Sequence, residues 1–371
     1  MANSSKFRAD HVGSLLRPQS LLEARRRLEA GMIEADELRE VEDEMIAAAV
    51  KMQKDAGIDI ITDGEFRRRD FRTGFVEAVE GISMRTIEMP WHTSGGVATL
   101  PSKQFVITGR LEQRRRLAEG EVSYLQSLTT APIKVTLIAP GFLVERFWQD
   151  GATDEFYESR EELAAEVAAI TRAEIEALIA EGVRYVQLDN PGYSAYLGSH
   201  ARERGNGADT HAAFERMLKT DIAAVEGVER PRGVSIGVHV CRGNQSSMWL
   251  GEGDYEPIAE QLFQSLPVDR LLLEYDDERA GGFEPLRFVP RGRMVVLGLV
   301  SSKKPELESL EELQGRIDEA AKFIDIDNLA LSPQCGFASV AEGGNRLTAA
   351  DQFNKLQLVS DSALATWGIE L

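Results

Sequence analysis

Short, almost wholly apolar runs alternate along the chain with longer stretches whose apolar residues recur every three or four positions. The short runs cover residues 7–12, 58–62, 133–139, 185–188, 234–240, 271–275, 294–299 and 329–331. Gly, Pro, Asp or Asn bound them. They lack the apolar–polar alternation of a sheet with one wet face, so they predict strands buried on both sides. The clearest helical stretch is 160–181, where Leu163, Val167, Ile170, Glu174, Ile175, Leu178 and Ile179 keep an i, i+3/i+4 stripe. Gly182 follows as a C-cap. Further helices are predicted over about 308–323 and 349–367. Eight strands, each followed by a helix or helical insertion, predict a (β/α)8 barrel of the α/β class. The competing arrangement is a doubly wound open sheet.

A minimal barrel needs about 250 residues, and this chain has 371. Two segments absorb the excess. Residues 21–56 are long enough for two helices after the first strand. Residues 79–110, with a Gly95-Gly96 tip, predict a β-ribbon. Neither an internal repeat nor a Pro/Gly/Ser linker divides the chain, so residues 1–371 are expected to form a single catalytic barrel.

Composition narrows the function. A net charge of -19 argues against a general nucleic-acid surface, which needs Lys and Arg to neutralise phosphates. A small anionic substrate stays open, because local basic pockets survive in an acidic protein. No apolar h-region stands at the N-terminus, and no apolar run approaches the ~18–20 residues of a membrane span. With only two cysteines, a reducing cytoplasmic setting is expected.

Active sites of barrels lie at the C-terminal ends of their strands. The polar residues there are His11, Gly13 and Ser14; Asp63, Gly64 and Glu65; Gln187, Asp189 and Asn190; His239 and Cys241; Glu274; Ser301 and Ser302; and Cys335. Both cysteines and two of the five histidines thus fall on one rim. A lone cysteine there is ordinarily a buried, inert thiol, and a lone Glu274 would read as a carboxylate paired with an arginine. His239 and Cys241 change the picture, because side chains at i and i+2 of a strand share a face. With Cys335 and Glu274 they offer the N, S and O donors that tetrahedral zinc accepts. Zinc would deprotonate a thiol, whose free pKa is about 8.5, while electron-rich thiolate ligands keep its sulfur nucleophilic. Two thiolates suit a zinc that must polarise water less well, so thiol activation is preferred to hydrolysis.

In order along the chain come Val12-Gly13-Ser14, Asp63-Gly64-Glu65, Gln187-Leu188-Asp189-Asn190-Pro191, His239-Val240-Cys241, Glu274 and Ser332-Pro333-Gln334-Cys335-Gly336. Together, over about residues 6–365, they resemble the catalytic barrel of the cobalamin-independent methionine synthase family. That family uses zinc to activate homocysteine for attack on the methyl group of a methyltetrahydropteroylpolyglutamate. The resemblance implies His239, Cys241, Glu274 and Cys335 as zinc ligands, and Ser14, Glu65 and Asp189 as the binding site for the amino-acid end of homocysteine. A hydroxyl and two carboxylates also suit an ammonium group physically.

Three departures bear on the reaction. The long synthases carry a second, N-terminal barrel without a counterpart here. Val300 aligns where the family has a histidine regarded as general acid, and Asn190 replaces an acid. The chain therefore looks like a short, single-barrel relative, a group that includes the epoxyalkane:coenzyme M transferases. Thiol addition to an epoxide is the alternative enzyme reading, and a non-catalytic zinc- or thiol-binding barrel is the alternative of another class. The methyl donor, folate-type or other, stays open, as does assembly into a homo-oligomer. Among the remaining features, Arg25–Arg27 and Arg114–Arg116 read as solvated helix faces. Arg67–Arg69, Arg17 and Arg242 are weaker candidates for meeting an anion. His92, His200 and His211 read as surface residues, and Trp148 and Trp249 as packing aromatics.

Overall fold

A computed structural model describes residues 6–93, 95–198, 207–244, 248–338 and 346–368. The predicted ribbon forms as β1 (Val79–Thr93) and β2 (Gly96–Gln113), paired antiparallel. Six strands then run parallel in sequence order: β3 (Lys134–Ile138), β4 (Tyr185–Asp189), β5 (Ser235–Val240), β6 (Arg270–Glu274), β7 (Met294–Val300) and β8 (Leu329–Pro333). Every residue of these six strands is buried, which is why their sequences are mostly apolar and lack a polar face toward water.

The two remaining staves, expected as full strands at 7–12 and 58–62, are reduced to single bridges. Ala9 pairs parallel with Leu331 and Ile61 with Ile133. Side chains have taken over the missing ladder. The Asp59 carboxylate accepts the backbone N–H of Arg8 and of Ala9, at 2.7 and 2.9 Å. The Gln53 amide brackets Thr62, accepting from its N–H and donating to its carbonyl, both at 2.9 Å. Backbone hydrogen bonds still link neighbours right round the ring: Leu331 N to Arg8 O (2.9 Å), Asp59 N to Ala9 O (3.0 Å) and Lys134 N to Ile61 O (2.9 Å). This is the (β/α)8 arrangement.

Its interior carries a polar layer. Lys134 Nζ donates to Asp10 Oδ1 and to the His11 carbonyl at 2.5 Å each, and to Gln187 Oε1 at 3.0 Å. Gln187 Nε2 in turn reaches the Val12 carbonyl and Asp189 Oδ1 (2.6 and 2.8 Å). A buried charge so fully bonded is tolerated where an unpaired one would not be. This layer forms a rigid floor beneath the C-terminal rim.

The insertion after the first stave is the expected helix pair, Gln19–Glu29 and Ala35–Asp55. The long helix Arg160–Ala180 starts at Ser159, whose hydroxyl accepts the Glu162 N–H. Glu174 belongs to its buried stripe because its carboxylate takes Arg116 and the N–H groups of Leu117 and Ala118. The ribbon packs Phe105 on Phe147, ring centroids 5.5 Å apart. Its tip reaches the loop that follows β5, where His92 and Trp249 exchange backbone hydrogen bonds of 2.8 and 3.1 Å. No described helix is long and apolar enough to cross a membrane.

Candidate metal centre

Strand β5 ends in His239-Val240 with Cys241 directly after it, and Cys335 follows on β8 and Gln334. The parallel register brings these ends together. One donor atom from each of His239, Cys241 and Cys335 lies within 4.8 Å of the other two. Tetrahedral donors about 2.0–2.3 Å from a zinc ion stand roughly 3.3–3.8 Å apart, so the set fits such an ion in chemistry and needs only small side-chain adjustments to close on it. Both thiols are free.

The electrostatics are those of a cation site. Burial would drive protons off His239, yet its hydrogen bond to Asp189 and the nearby Cys241 sulfur prevail and lift its pKa to about 9. Cys241 is drawn down to about 7, chiefly by its hydrogen bond with Cys335, while the same bond and burial push Cys335 up. His239 Nδ1 stands 3.1 Å from Asp189 Oδ1, and Nε2 stands 3.3 Å from the Gln334 carbonyl. A carboxylate on one ring nitrogen fixes the ring and leaves the other nitrogen for a metal.

Glu274, expected as a fourth ligand, is not in this group. It ends β6 as expected, but both oxygens are engaged elsewhere. Oε1 accepts from Lys303 Nζ and Oε2 from the Arg242 backbone N–H, each at 2.7 Å. Burial alone would raise its pKa, but Lys303 and Arg242 outweigh that and bring it to about 2. Lys303 also reaches Asp276 Oδ2 at 3.2 Å.

The other expected residues line the adjoining rim. Glu65 is buried, and among the described residues it is the one non-glycine with positive φ, 59°. Such a backbone costs on the order of 1–2 kcal/mol. Asp63 Oδ1 secures the turn by accepting the Glu65 N–H at 2.8 Å. Thr136 Oγ1 donates to the Glu65 carboxylate at 2.9 Å. Burial, with the Asp189 charge adding to it, raises Glu65 to about 7 despite Arg68. Ser14 abuts Gly336, where an added Cβ would overlap the serine hydroxyl. Asp189 is shared between this side and the metal side, through His239.

Several sequence readings change. Arg67 pairs with Glu42 and Asp43, Arg68 with Glu121, and Arg69 with Glu29, so the triplet is occupied. Arg17 donates to the Glu65 and Arg68 carbonyls. Arg242 is buried and tied to the carbonyls of Gly253 and Glu274. Each of these guanidinium groups is taken up by carboxylates or carbonyls of the protein itself. Arg25, expected on a solvated face, is buried against the Phe66 and Arg68 carbonyls. His11 is buried with Nε2 3.2 Å from the Ile60 carbonyl, away from the rim. His92 stacks on Trp249 rather than standing free; His211 is exposed; His200 lies outside the described residues. Asn190 turns from the site to donate to Asp221 at 2.6 Å. Val300 is fully buried. Lys303 and Asp276 escaped the sequence reading, though a lysine directly after two rim serines was a usable signal.

The chain is similar to known proteins over most of its length. Residues 7–350 match the family described as cobalamin-independent synthase, catalytic domain. The Bacillus subtilis protein YxjH is 39% identical over 97% of this chain and 95% of its own. A methionine synthase of Sulfolobus acidocaldarius is 24% identical over 88% of this chain and 84% of its own. Among solved structures, a Listeria monocytogenes protein described as a candidate vitamin-B12-independent methionine synthase superposes with a TM-score of 0.75. It is 28% identical, and 99% of each chain is covered.

Proposed function

The chain belongs to the cobalamin-independent methionine synthase catalytic-domain family, and from that premise we propose that it methylates the thiol of homocysteine at a zinc centre held by His239, Cys241 and Cys335. The whole chain would act as one cytoplasmic catalytic barrel. The observation that carries the reading is the convergence of one imidazole and two thiols at the rim. Zinc would supply ionisation of the substrate thiol at neutral pH.

The protein's own residues supply the rest. Asp189 fixes the His239 ring through Nδ1, and Nε2 would exchange the Gln334 carbonyl for the ion. The polar floor keeps Asp189 in place through Gln187. Glu65 and Asp189 are buried carboxylates near enough to repel each other, and a substrate ammonium between them would relieve that repulsion. Ser14 adds a hydroxyl on the same side. This favours an amino-acid thiol over one that carries a sulfonate. The chemistry is then displacement at carbon: the sulfur lone pair forms the new S–CH3 bond while the bond to the donor breaks, its electrons leaving with the donor. Holding the two reactants in line is worth several kcal/mol by itself.

Cobalt-substituted protein tests the reading. Titration with homocysteine should add a sulfur-to-cobalt charge-transfer band, and coenzyme M should not. A response to coenzyme M alone would reject the amino-acid thiol. No response to either would reject thiol activation at this centre. Methionine formation from homocysteine and a methyltetrahydropteroyl polyglutamate would then identify the donor.

A further inference from the structure

We propose that the Arg146 guanidinium and the Trp91 indole N–H form a subsite for a carboxylate of the methyl donor, which is then a small flat-ringed acid and not a methyl group carried on another protein. The inference rests on the function proposed above, and it assigns the donor side of that site.

Helix Pro140–Phe147 starts at the rim, directly beyond β3. Its Phe142 ring lies 5.8 Å from that of Phe71, in the loop after the second stave. The same ring abuts Gly192 in the loop after β4, where an added Cβ would stand 3.0 Å from it. Phe142 is thus wedged between the loops that begin at Glu65 and Asp189. Arg146 stands one helical turn further on, so its side chain rises from the same face. Nearby, the Arg72 guanidinium lies over the Phe105 and Phe71 rings, 4.8 and 5.8 Å from their centroids.

Arg72 is neutralised by Asp70, Nη2 to Oδ2 at 2.8 Å. Arg146 is not neutralised. Among the described residues its guanidinium meets no carboxylate; it donates to the thioether of Met89 at 2.8 Å, a weak acceptor. Desolvation and the Arg72 charge both lower its pKa, and no acid acts the other way. Met89 and Trp91 share a face of β1. Trp91 is 7% exposed, yet its Nε1 finds no acceptor among the described residues. Its neighbour His92 is tied to Trp249 beyond β5, so the ribbon carries Trp91 from Arg146 toward the strand end that bears His239 and Cys241. A buried N–H without an acceptor is unfavourable, and a bound carboxylate would satisfy it together with Arg146. The phenyl rings beside them suit a flat group. An indole so covered by the ribbon is open to a slender molecule but not to the face of a folded protein.

The test needs no turnover. Equilibrium binding of 5-methyltetrahydropteroylglutamate is compared with that of its dimethyl ester, which has the same rings and no negative charge. Wild type should bind the acid about 10-fold or more tighter than the ester, the worth of a charge-assisted pair. Arg146→Met should abolish that preference, Arg146→Lys should restore part of it, and Trp91→Phe should reduce it by about threefold or more. Met89→Leu, which removes the sulfur contact but keeps an apolar side chain on the ribbon, should leave it intact. Metal content and the KM for homocysteine should stay at wild-type level in Arg146→Met.

Three results would overturn the inference: a wild type that binds acid and ester alike or binds neither; a preference that survives Arg146→Met; or its loss in Met89→Leu, which would make Arg146 only a prop for the ribbon. If Arg146→Met does not fold, Arg146→Gln carries the same comparison. Methionine formed from homocysteine and a methylated corrinoid protein, with the pteroylglutamate inert, would overturn this inference and leave the proposed function standing. A protein that shows the charge preference and yet never methylates homocysteine would instead defeat the proposed function and keep the subsite.

Discussion

Asp189 and His239 are in-register partners on adjacent parallel strands, and an oxygen of the first stands 3.1 Å from Nδ1 of the second. The sheet itself therefore aims the imidazole. Asp189→Asn should keep the fold but lower metal affinity by about 10- to 100-fold, as loss of a carboxylate behind a metal-binding histidine does. Chelator competition would measure it. Unchanged affinity would confine Asp189 to the substrate side.

Cys241→Ser and Cys335→Ser should each lose bound zinc and methyl transfer together, because a hydroxyl does not ionise as a thiol does. Metal content by atomic absorption, read beside activity, checks this. A variant retaining both at full level would remove its residue from the metal set.

Gly336→Ala tests the serine side separately. The new methyl group would overlap the Ser14 hydroxyl and displace it. The expected outcome is a KM for homocysteine raised about 10-fold, the worth of one hydrogen bond to a charged group, with metal content unchanged. A matching rise in Ser14→Ala would tie the effect to the hydroxyl.

His11 makes a pH prediction independent of the site. Burial, reinforced by Lys134, lowers its pKa from 6.5 to about 4, so the folded ring is neutral where the unfolded one takes up a proton. Its contribution is present above pH 6.5 and is lost as the pH falls toward 4. The stability margin of wild type over His11→Asn should therefore shrink by about 2 kcal/mol between pH 7 and pH 5. Urea unfolding at both pH values gives the difference; a constant margin would mean that His11 titrates normally.

The fold was legible where burial imposes a period. The six parallel strands and the helix pair at Gln19–Glu29 and Ala35–Asp55 follow the apolar pattern to within a residue or two. The first two staves were harder to read, because apolar residues do not reveal that Asp59 and Gln53 replace the ladder with side-chain bonds. In the site, spacing on one strand was enough to pair His239 with Cys241. The bonds that hold the Glu274 carboxylate were not legible, since one comes from Lys303 on a different strand end. Arginines misled for a related reason. Whether Arg67 or Arg242 faces an anion or a carbonyl is decided by partners distant in sequence.

The backbone tie between His92 and Trp249 has a consequence for the order of folding. It joins the tip of an insertion near the N-terminus to the loop beyond β5, so β3, β4 and β5 all lie between its two ends. The entropy lost in closing so long a loop is recovered only after the intervening strands have assembled. The tip should then dock last and detach first. Hydrogen exchange at the His92 and Trp249 amides would follow local opening, well ahead of the amides of β4 and β5.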